Sequence, residues 1–196
     1  MIDFIKRLNL PNKLTLLRVV MVPLMCLFLS FQNNACQIIA LLLFILASIT
    51  DMMDGKIARR NNQITDFGKL LDPIADKLLV LSAMVFLVAQ QRMSAAVCMI
   101  FIARELIISG FRLVAAADGK VIAAGKTGKY KTVVQMIAVC MSMVFMPMQA
   151  TGAAVISAGF LAVLTQIVMW AALVLAVVSC VEYIVKNITV IDTTSI

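Results

Sequence analysis

Six long apolar stretches run through this chain, and its polar residues are concentrated in the short connections between them. Hydrophobic residues account for 63% of the 196 residues and charged residues for only 14%, a balance typical of proteins that fold in a bilayer. A helix rises about 1.5 Å per residue, so roughly 20 apolar residues cross the hydrocarbon layer. The runs are continuous, whereas barrel strands alternate apolar with polar residues. The sequence therefore predicts an all-α integral membrane protein.

The predicted architecture is a single membrane domain over residues 1–196, with six transmembrane helices preceded by a short juxtamembrane helix. Residues 1–10 combine apolar and basic side chains, which predicts a helix lying on the membrane surface. The last apolar stretch is longer than a crossing requires, so we expect it to tilt or to project from the membrane. The six predicted spans are residues 14–31, 36–58, 70–90, 93–117, 131–148 and 153–186.

Lysine and arginine residues are distributed unequally between the two membrane surfaces that these spans imply. They flank the first span and gather in the connections between spans two and three and between spans four and five, whereas the three remaining connections contain only Arg92. Basic connections face the cytoplasm, so we expect both termini and the two basic connections to be cytoplasmic. The net charge of +7 then follows from topology, and nucleic acid is not an expected partner.

Histidine is absent from the chain. This excludes catalysis by serine-histidine or cysteine-histidine pairs and the usual histidine zinc sites. The five cysteines are dispersed through apolar stretches without a Cys-x-x-Cys pair, so we interpret them as packing residues.

The most specific pattern of polar residues lies where the second and third predicted spans meet their connection. Its carboxylates share helix faces, because Asp54 follows Asp51 by three residues and Asp76 follows Asp72 by four. Four like charges beside hydrocarbon are costly unless a cation neutralises them, and clustered carboxylate oxygens suit Mg²⁺ or Mn²⁺. We therefore predict a divalent metal site at the cytoplasmic side. The full pattern is Asp51-x2-Asp54-Gly55-x2-Ala58-Arg59-x8-Gly68-x3-Asp72-x3-Asp76.

A capping, calcium-binding or transport role would account less well for these carboxylates. A single aspartate is often only a helix cap, and an EF-hand needs alternating ligands and a terminal glutamate that this segment lacks. Intramembrane carboxylates can also mark an ion path, as in a cation transporter. Such a path would cross the bilayer, whereas these aspartates gather near one face.

Every fixed position of the pattern matches the signature of the CDP-alcohol phosphatidyltransferases, so the chain resembles that family of integral membrane enzymes. The family displaces CMP from a CDP-linked donor with an alcohol acceptor. The resemblance implies a homodimer and two divalent cations held by the four aspartates, with Asp76 also acting as the general base that deprotonates the acceptor. The residues that it implies as contacts of the cytidine nucleotide are Gly55, Arg59 and Asn12.

Motifs outside the aspartate pattern resemble the bacterial members of this family that use CDP-diacylglycerol and glycerol 3-phosphate. For such a member, the resemblance implies transfer of the phosphatidyl group to the sn-1 hydroxyl of glycerol 3-phosphate, giving phosphatidylglycerol phosphate and CMP. It also implies residence in the bacterial cytoplasmic (inner) membrane. The motifs are Pro11-Asn12-Lys13-Leu14-Thr15-x2-Arg18, Arg104-Glu105, Ser109-Gly110-Phe111-Arg112, and Gly128-Lys129-x-Lys131-Thr132-x2-Gln135-Met136.

A phosphorylated acceptor needs cations of its own, because its dianionic group must be held near the metal ions but not on them. Arginine offers bidentate contact to phosphate, and lysine offers an adaptable point charge. The predicted acceptor-binding residues are Arg112, Lys129, Lys131 and Lys126. The lysines could equally serve membrane topology alone. Arg104 and Glu105 lie within span four, and we expect them to support the site through an internal ion pair or by orienting acceptor-binding groups.

Two alternatives keep a diphosphate donor but change the reaction. The same chemistry could use serine or inositol phosphate as the acceptor, although the basic cluster favours a phosphorylated one. An intramembrane prenyltransferase also binds a diphosphate at an aspartate-rich metal site, but the Asp-Gly-x2-Ala-Arg segment argues against that class.

Overall fold

The structure, a computed structural model, describes residues 10–60, 66–117, 120, 122, 125–150 and 155–188, and all regular structure within them is helical. Side chains are described throughout these ranges except at residues 10–11, 52–60, 66–70, 72, 126, 145–150 and 155–158. The helices are α1 (Leu10–Ser30), α2 (Asn34–Arg60), α3 (Asp66–Ala89), α4 (Ala95–Ala117), α5 (Lys126–Ala150) and α6 (Val155–Asn187).

Each predicted span corresponds to one of these helices, so the all-helical prediction is confirmed over the described residues. The starts differ most: α5 begins at Lys126 instead of residue 131, α3 at Asp66 instead of residue 70, and α1 at Leu10 instead of residue 14. An apolar run marks the stretch suited to hydrocarbon, whereas helical hydrogen bonding continues into polar residues. The predicted juxtamembrane helix over residues 1–10 lies outside the described residues, apart from its last position.

Within the described residues, α1, α2 and α6 are long and apolar enough to cross a membrane. Their qualifying stretches are Asn12–Ser30, Asn34–Asp51 and Gly159–Asn187. By contrast, three charged side chains interrupt α4, at Arg104, Glu105 and Arg112. Length and composition therefore identify three candidate spans, and the six-span arrangement stays a prediction.

Packing between the helices leaves apolar side chains on both the inside and the outside of the bundle. α1 lies against α2 and α3, α5 lies against α6 and α2, and α4 packs mainly on α6. The shared interior contains fully buried side chains such as Phe44, Leu79 and Phe101. On the outer surface, Leu42 and Val85 are more than half exposed. Such a surface is stable in lipid hydrocarbon, which is as apolar as these side chains.

Glutamine side chains close the end of the bundle opposite the aspartates. Gln37 on α2 donates from Nε2 to the carbonyl of Phe31 at 2.7 Å. Gln90, which follows α3, donates to the carbonyl of Leu29 at 3.0 Å. The last carbonyls of a helix have no partner within that helix, so these bonds satisfy the end of α1 and tie it to its two neighbours.

We expect Phe44→Ala to lower the free energy of unfolding by about 3 kcal/mol, because it leaves a cavity between close-packed helices. Leu42→Ala, at an exposed position on the same helix, should lower it by less than about 1 kcal/mol, since lipid replaces the lost contacts. The measurement is equilibrium unfolding in detergent micelles. Equal losses for the two variants would contradict the placement of Phe44 in the core.

Candidate active site

Asp51 is held by a cation from the neighbouring helix. Arg18 on α1 places Nη1 2.7 Å from Oδ1 of Asp51 on α2. The Arg18 side chain is fully buried, whereas that of Asp51 is 38% exposed. A buried guanidinium requires an anionic or hydrogen-bonding partner, so this pair fixes Asp51 and links α1 to the aspartate pattern. The sequence indicated Asp51, whereas Arg18 was identified as a basic residue flanking the first span and as a position of an outer motif, without a partner being predicted for it.

Asp76 on α3 lies within electrostatic range of Asp51 and Arg18. Two of the four predicted ligands, on α2 and α3, therefore influence each other electrostatically. Asp54 and Asp72 belong to the same two helices, but their side chains lie outside the described part of the chain. Among the side chains that are described, no three metal-ligating groups form a cluster. The four-aspartate site therefore stays a prediction.

The predicted nucleotide contacts are described only in part. Asn12, in the first turn of α1, is buried with 5% exposure. Gly55 and Arg59 lie on α2, and Lys126, a predicted acceptor contact, is the first residue of α5, but the surroundings of these three residues lie outside the described part. The roles of all four residues stay predictions.

A cavity of about 430 Å³ opens beside Asp76, between α3, α4 and α5. Its lining brings the predicted general base, Asp76, together with Arg112 and Lys129, two of the predicted acceptor-binding residues. The volume lies in the range typical of small-molecule sites. A carboxylate and two cations in one cavity can bind an anionic molecule and accept a proton from it. The other polar lining residues are Lys77, Arg104, Glu105, Ser109 and Thr132.

Glu105 joins two cations at the edge of this cavity. Lys131 donates from Nζ to Oε1 of Glu105, and Arg104 donates from Nη1 to the same oxygen at 3.1 Å. Lys131 is almost fully buried, with 1% exposure, and its ammonium also lies 5.8 Å from the ring centroid of Phe101. The carboxylate therefore links α5 to α4. The predicted phosphate contact of Lys131 would have to form beside this ion pair, and it stays a prediction.

Arg112 is oriented by an aromatic residue from α6. Its Nε donates to the hydroxyl of Tyr183 at 3.2 Å, and its guanidinium carbon lies 5.4 Å from the centroid of that ring. Phe111 meets the same ring edge to face at 5.8 Å. These contacts restrict the flexible arginine side chain at the cavity wall. Arg112 also lines a neighbouring cavity of about 350 Å³ between α4, α5 and α6.

Residues of α6 that hold these arginines were missed from the sequence. Arg104 donates from Nη2 to Ser179 Oγ at 3.1 Å, across 75 positions of the chain, and Arg112 reaches Tyr183 across 71. The only signal is that Ser179 and Tyr183 are four residues apart in an apolar helix, and therefore share one face. Such a signal marks a polar stripe but does not identify its partner.

The donors near Asp76 suit a hard divalent cation. Asp51 and Asp76 supply only oxygen atoms, which Mg²⁺ and Mn²⁺ prefer. An ionised carboxylate has two oxygens with about four acceptor positions. The ion pair between Arg18 and Asp51 is therefore compatible with a metal ion at the same carboxylate, and the residues fit the implied cations.

We expect Glu105→Gln to lower the free energy of unfolding by about 2 kcal/mol, because it leaves the buried charge of Lys131 without its carboxylate. Glu182→Gln is the matched control, since its pair with Lys186 is surface-exposed and should contribute little. Thermal or denaturant unfolding in micelles measures both variants. A Glu105→Gln protein as stable as Glu182→Gln would show that the pair does not hold α5 against α4.

Sequence comparisons with known proteins identify relatives of this chain. The sequence model of a family described as CDP-alcohol phosphatidyltransferase matches residues 8–178. A Rickettsia typhi protein named CDP-diacylglycerol–glycerol-3-phosphate 3-phosphatidyltransferase is 35% identical over 175 residues, covering 89% of this chain and 94% of that protein. A Bacillus subtilis protein of the same name is 36% identical over 192 residues, covering 91% and 95%.

A further relative, from Mycobacterium tuberculosis strain CDC 1551, is named probable phosphatidylglycerophosphate synthase. It is 37% identical over 181 residues, covering 91% of this chain and 81% of that protein. The family match spans most of the chain and includes the whole aspartate pattern. The protein therefore belongs to the CDP-alcohol phosphatidyltransferase family.

Proposed function

We propose that this protein transfers the phosphatidyl group from CDP-diacylglycerol to the sn-1 hydroxyl of glycerol 3-phosphate, giving phosphatidylglycerol phosphate and CMP. Relatives that share most of its length carry names that specify this donor and this acceptor. In the chain itself, the observation that carries the proposal is the cavity that joins Asp76 to Arg112 and Lys129. That cavity offers a proton acceptor and a phosphate-binding wall to one small molecule.

The acceptor phosphate is assigned to the cationic wall of the cavity. Arg112, held by Tyr183, would contact phosphate oxygens through its planar guanidinium, and Lys129 would add a point charge. Lys131, paired with Glu105, would add positive potential from behind the wall. Lys126 is a further candidate, since it begins the same helix as the other two lysines.

The donor is assigned to the aspartate end of α2 and α3. Asn12, Gly55 and Arg59 would contact the cytidine nucleotide. The acyl chains would lie along the exposed apolar helix surfaces, which hydrocarbon already solvates. Two divalent cations, Mg²⁺ or Mn²⁺, would neutralise charge at the donor diphosphate. The residues assigned to hold them are Asp51, Asp54, Asp72 and Asp76.

Asp76 is assigned as the general base. It would accept the proton of the sn-1 hydroxyl as that oxygen forms a bond to the phosphatidyl phosphorus. The bond between this phosphorus and the bridging oxygen of CMP breaks, and CMP leaves with the bonding electrons. Because the base must lie within hydrogen-bond reach of the hydroxyl, Arg112 and Lys129 act by fixing the opposite end of the acceptor.

The proposed setting is the bacterial cytoplasmic membrane, with one domain over residues 1–196 whose six helices all cross the bilayer. An even number of crossings places both termini on one side, and the lysine and arginine distribution assigns that side, with the active site, to the cytoplasm. The soluble acceptor and the released CMP would then exchange directly with the cytoplasm. The family resemblance favours a homodimer.

Release of CMP by the purified protein tests the reaction. We expect release from CDP-diacylglycerol with glycerol 3-phosphate, loss of release with a chelator, and recovery when Mg²⁺ or Mn²⁺ is added back. Faster CMP release with serine or inositol phosphate would show that glycerol 3-phosphate is not the acceptor. Metal flux into proteoliposomes without any CMP release would support a transporter instead of an enzyme.

We expect Asp76→Asn to lower kcat by about 100-fold or more, because an amide cannot accept the hydroxyl proton. The Kd of the cytidine nucleotide should change by less than about threefold, since most nucleotide contacts remain. Asp66→Asn, the same substitution at the start of α3, is the matched control and should retain activity. Full activity of Asp76→Asn would remove the proposed base.

We expect Arg112→Ala to raise the KM for glycerol 3-phosphate by about tenfold or more, with a much smaller change in the KM for the donor. Tyr183→Phe keeps the ring against Arg112 but removes the hydroxyl acceptor, so its effect on the acceptor KM should be smaller. Steady-state kinetics with each substrate varied in turn measures both. A larger change in the donor KM would move Arg112 to the nucleotide site.

A further inference from the structure

A second cavity, of about 640 Å³, lies at the end of the bundle opposite Asp51 and Asp76. Gln90 in its wall comes 14 residues after Asp76 in the sequence, which is about 21 Å along a helix axis. The turn after α3 forms one wall, and α5 and α6 form the others. Its polar lining residues are Gln90, Gln91, Arg92, Ser142, Thr165 and Gln166.

Arg92 supplies positive charge to this cavity. It is the only charged residue in the sequence of the three connections predicted at this membrane surface. The guanidinium is tied to α5, because Nη1 donates to the carbonyl of Ser142 at 3.2 Å. A guanidinium carries five N–H donors in a planar fork, so the bond to Ser142 is compatible with contact to a phosphate in the cavity.

The turn that presents Arg92 contains a residue that is poorly suited to its backbone. Gln91 has a φ of 58°, and its N–H bonds to the carbonyl of Val88 while the N–H of Arg92 bonds to that of Leu87. This is the Schellman ending of a helix, in which the left-handed position is usually glycine. A glutamine is unfavourable there for folding, and its side chain lines the cavity. Residues that break a local rule in this way are often functional.

An apolar track leads from the cavity along α6. Val163, Ile167 and Trp170 line the cavity, and all three side chains are more than half exposed. Val174, one turn further along the helix, is also 58% exposed. The spacing places these residues on one face, and tryptophan prefers the boundary between hydrocarbon and headgroups. A ligand of this site would therefore have a polar anionic part and a long apolar part.

We propose that this cavity binds the headgroup of an anionic phospholipid from the leaflet opposite the aspartates, with Arg92 and Gln91 at its phosphate and its acyl chains along the Ile167 face of α6. A free phosphate ion would leave the apolar track unused. The inference rests on the proposed membrane orientation but not on the proposed reaction.

Native mass spectrometry tests this site. The purified protein in detergent is titrated with solubilised phosphatidylglycerol or phosphatidylcholine. We expect phosphatidylglycerol to bind at least about fivefold more tightly than phosphatidylcholine, since only its headgroup has net negative charge. Arg92→Met should weaken phosphatidylglycerol binding by about tenfold. Equal binding of the two lipids to the wild-type protein would overturn the proposal.

Gln91→Gly is the more specific test, because it removes the side chain from the cavity and also removes the steric cost of a positive φ at this position. We expect a Tm equal to or above that of the wild type, together with several-fold weaker binding of phosphatidylglycerol. The control is Gln32→Gly, which makes the same change in an exposed connection at the same end of the bundle. Unchanged lipid binding by Gln91→Gly, or an equal loss in Gln32→Gly, would overturn the site even if Arg92→Met failed to fold.

Assays of CMP release keep this inference separate from the reaction. Gln91→Gly should release CMP from CDP-diacylglycerol at the wild-type rate when lipid is in excess, because its cavity lies at the opposite membrane surface. Loss of lipid binding with normal CMP release would support the site. If inorganic phosphate competed with phosphatidylglycerol at equal concentration, the ligand would be a phosphate group alone and the lipid assignment would fail.

Discussion

Charged side chains inside an apolar helix bundle must be paired, and this requirement connects the packing of the protein to its cavity. The buried guanidinium of Arg18 meets Asp51, and the buried ammonium of Lys131 meets Glu105. Each desolvated charge costs several kcal/mol unless its partner is well placed. The two pairs therefore constrain how α1 approaches α2 and how α4 approaches α5. The same approach of helices places Asp76 at a cavity lined by Arg112 and Lys129.

The helices and the family could be predicted because both depend on local features of the sequence. Continuous apolar runs indicate helices, and the spacing of Asp51, Asp54, Asp72 and Asp76 fixes their faces whatever the tertiary structure. The partners of the cations could not be predicted in this way. Arg18 and Asp51 are joined only when α1 packs on α2, and Tyr183 reaches Arg112 across 71 positions. A sequence pattern gives the phase of each helix but not the rotation of one helix against another.

The two ends of the bundle satisfy their polar groups in different ways. At the aspartate end, ionised groups cancel one another in pairs and leave a cavity with both signs of charge. At the opposite end, neutral amides of Gln37 and Gln90 donate to the carbonyls of Phe31, just after α1, and of Leu29 in its last turn, and Arg92 provides the charge. In the proposed orientation, the ionic end would bind charged, soluble substrates, and the amide end with Arg92 would face lipid headgroups.

In the proposed function, Asp76, Arg112 and Lys129 surround one acceptor molecule. A crystal structure with glycerol 3-phosphate bound tests this assignment. We predict that the phosphate contacts Arg112 and Lys129 and that the sn-1 hydroxyl lies about 3 Å from a carboxylate oxygen of Asp76. Glycerol 3-phosphate bound elsewhere, with its hydroxyl out of reach of Asp76, would contradict it.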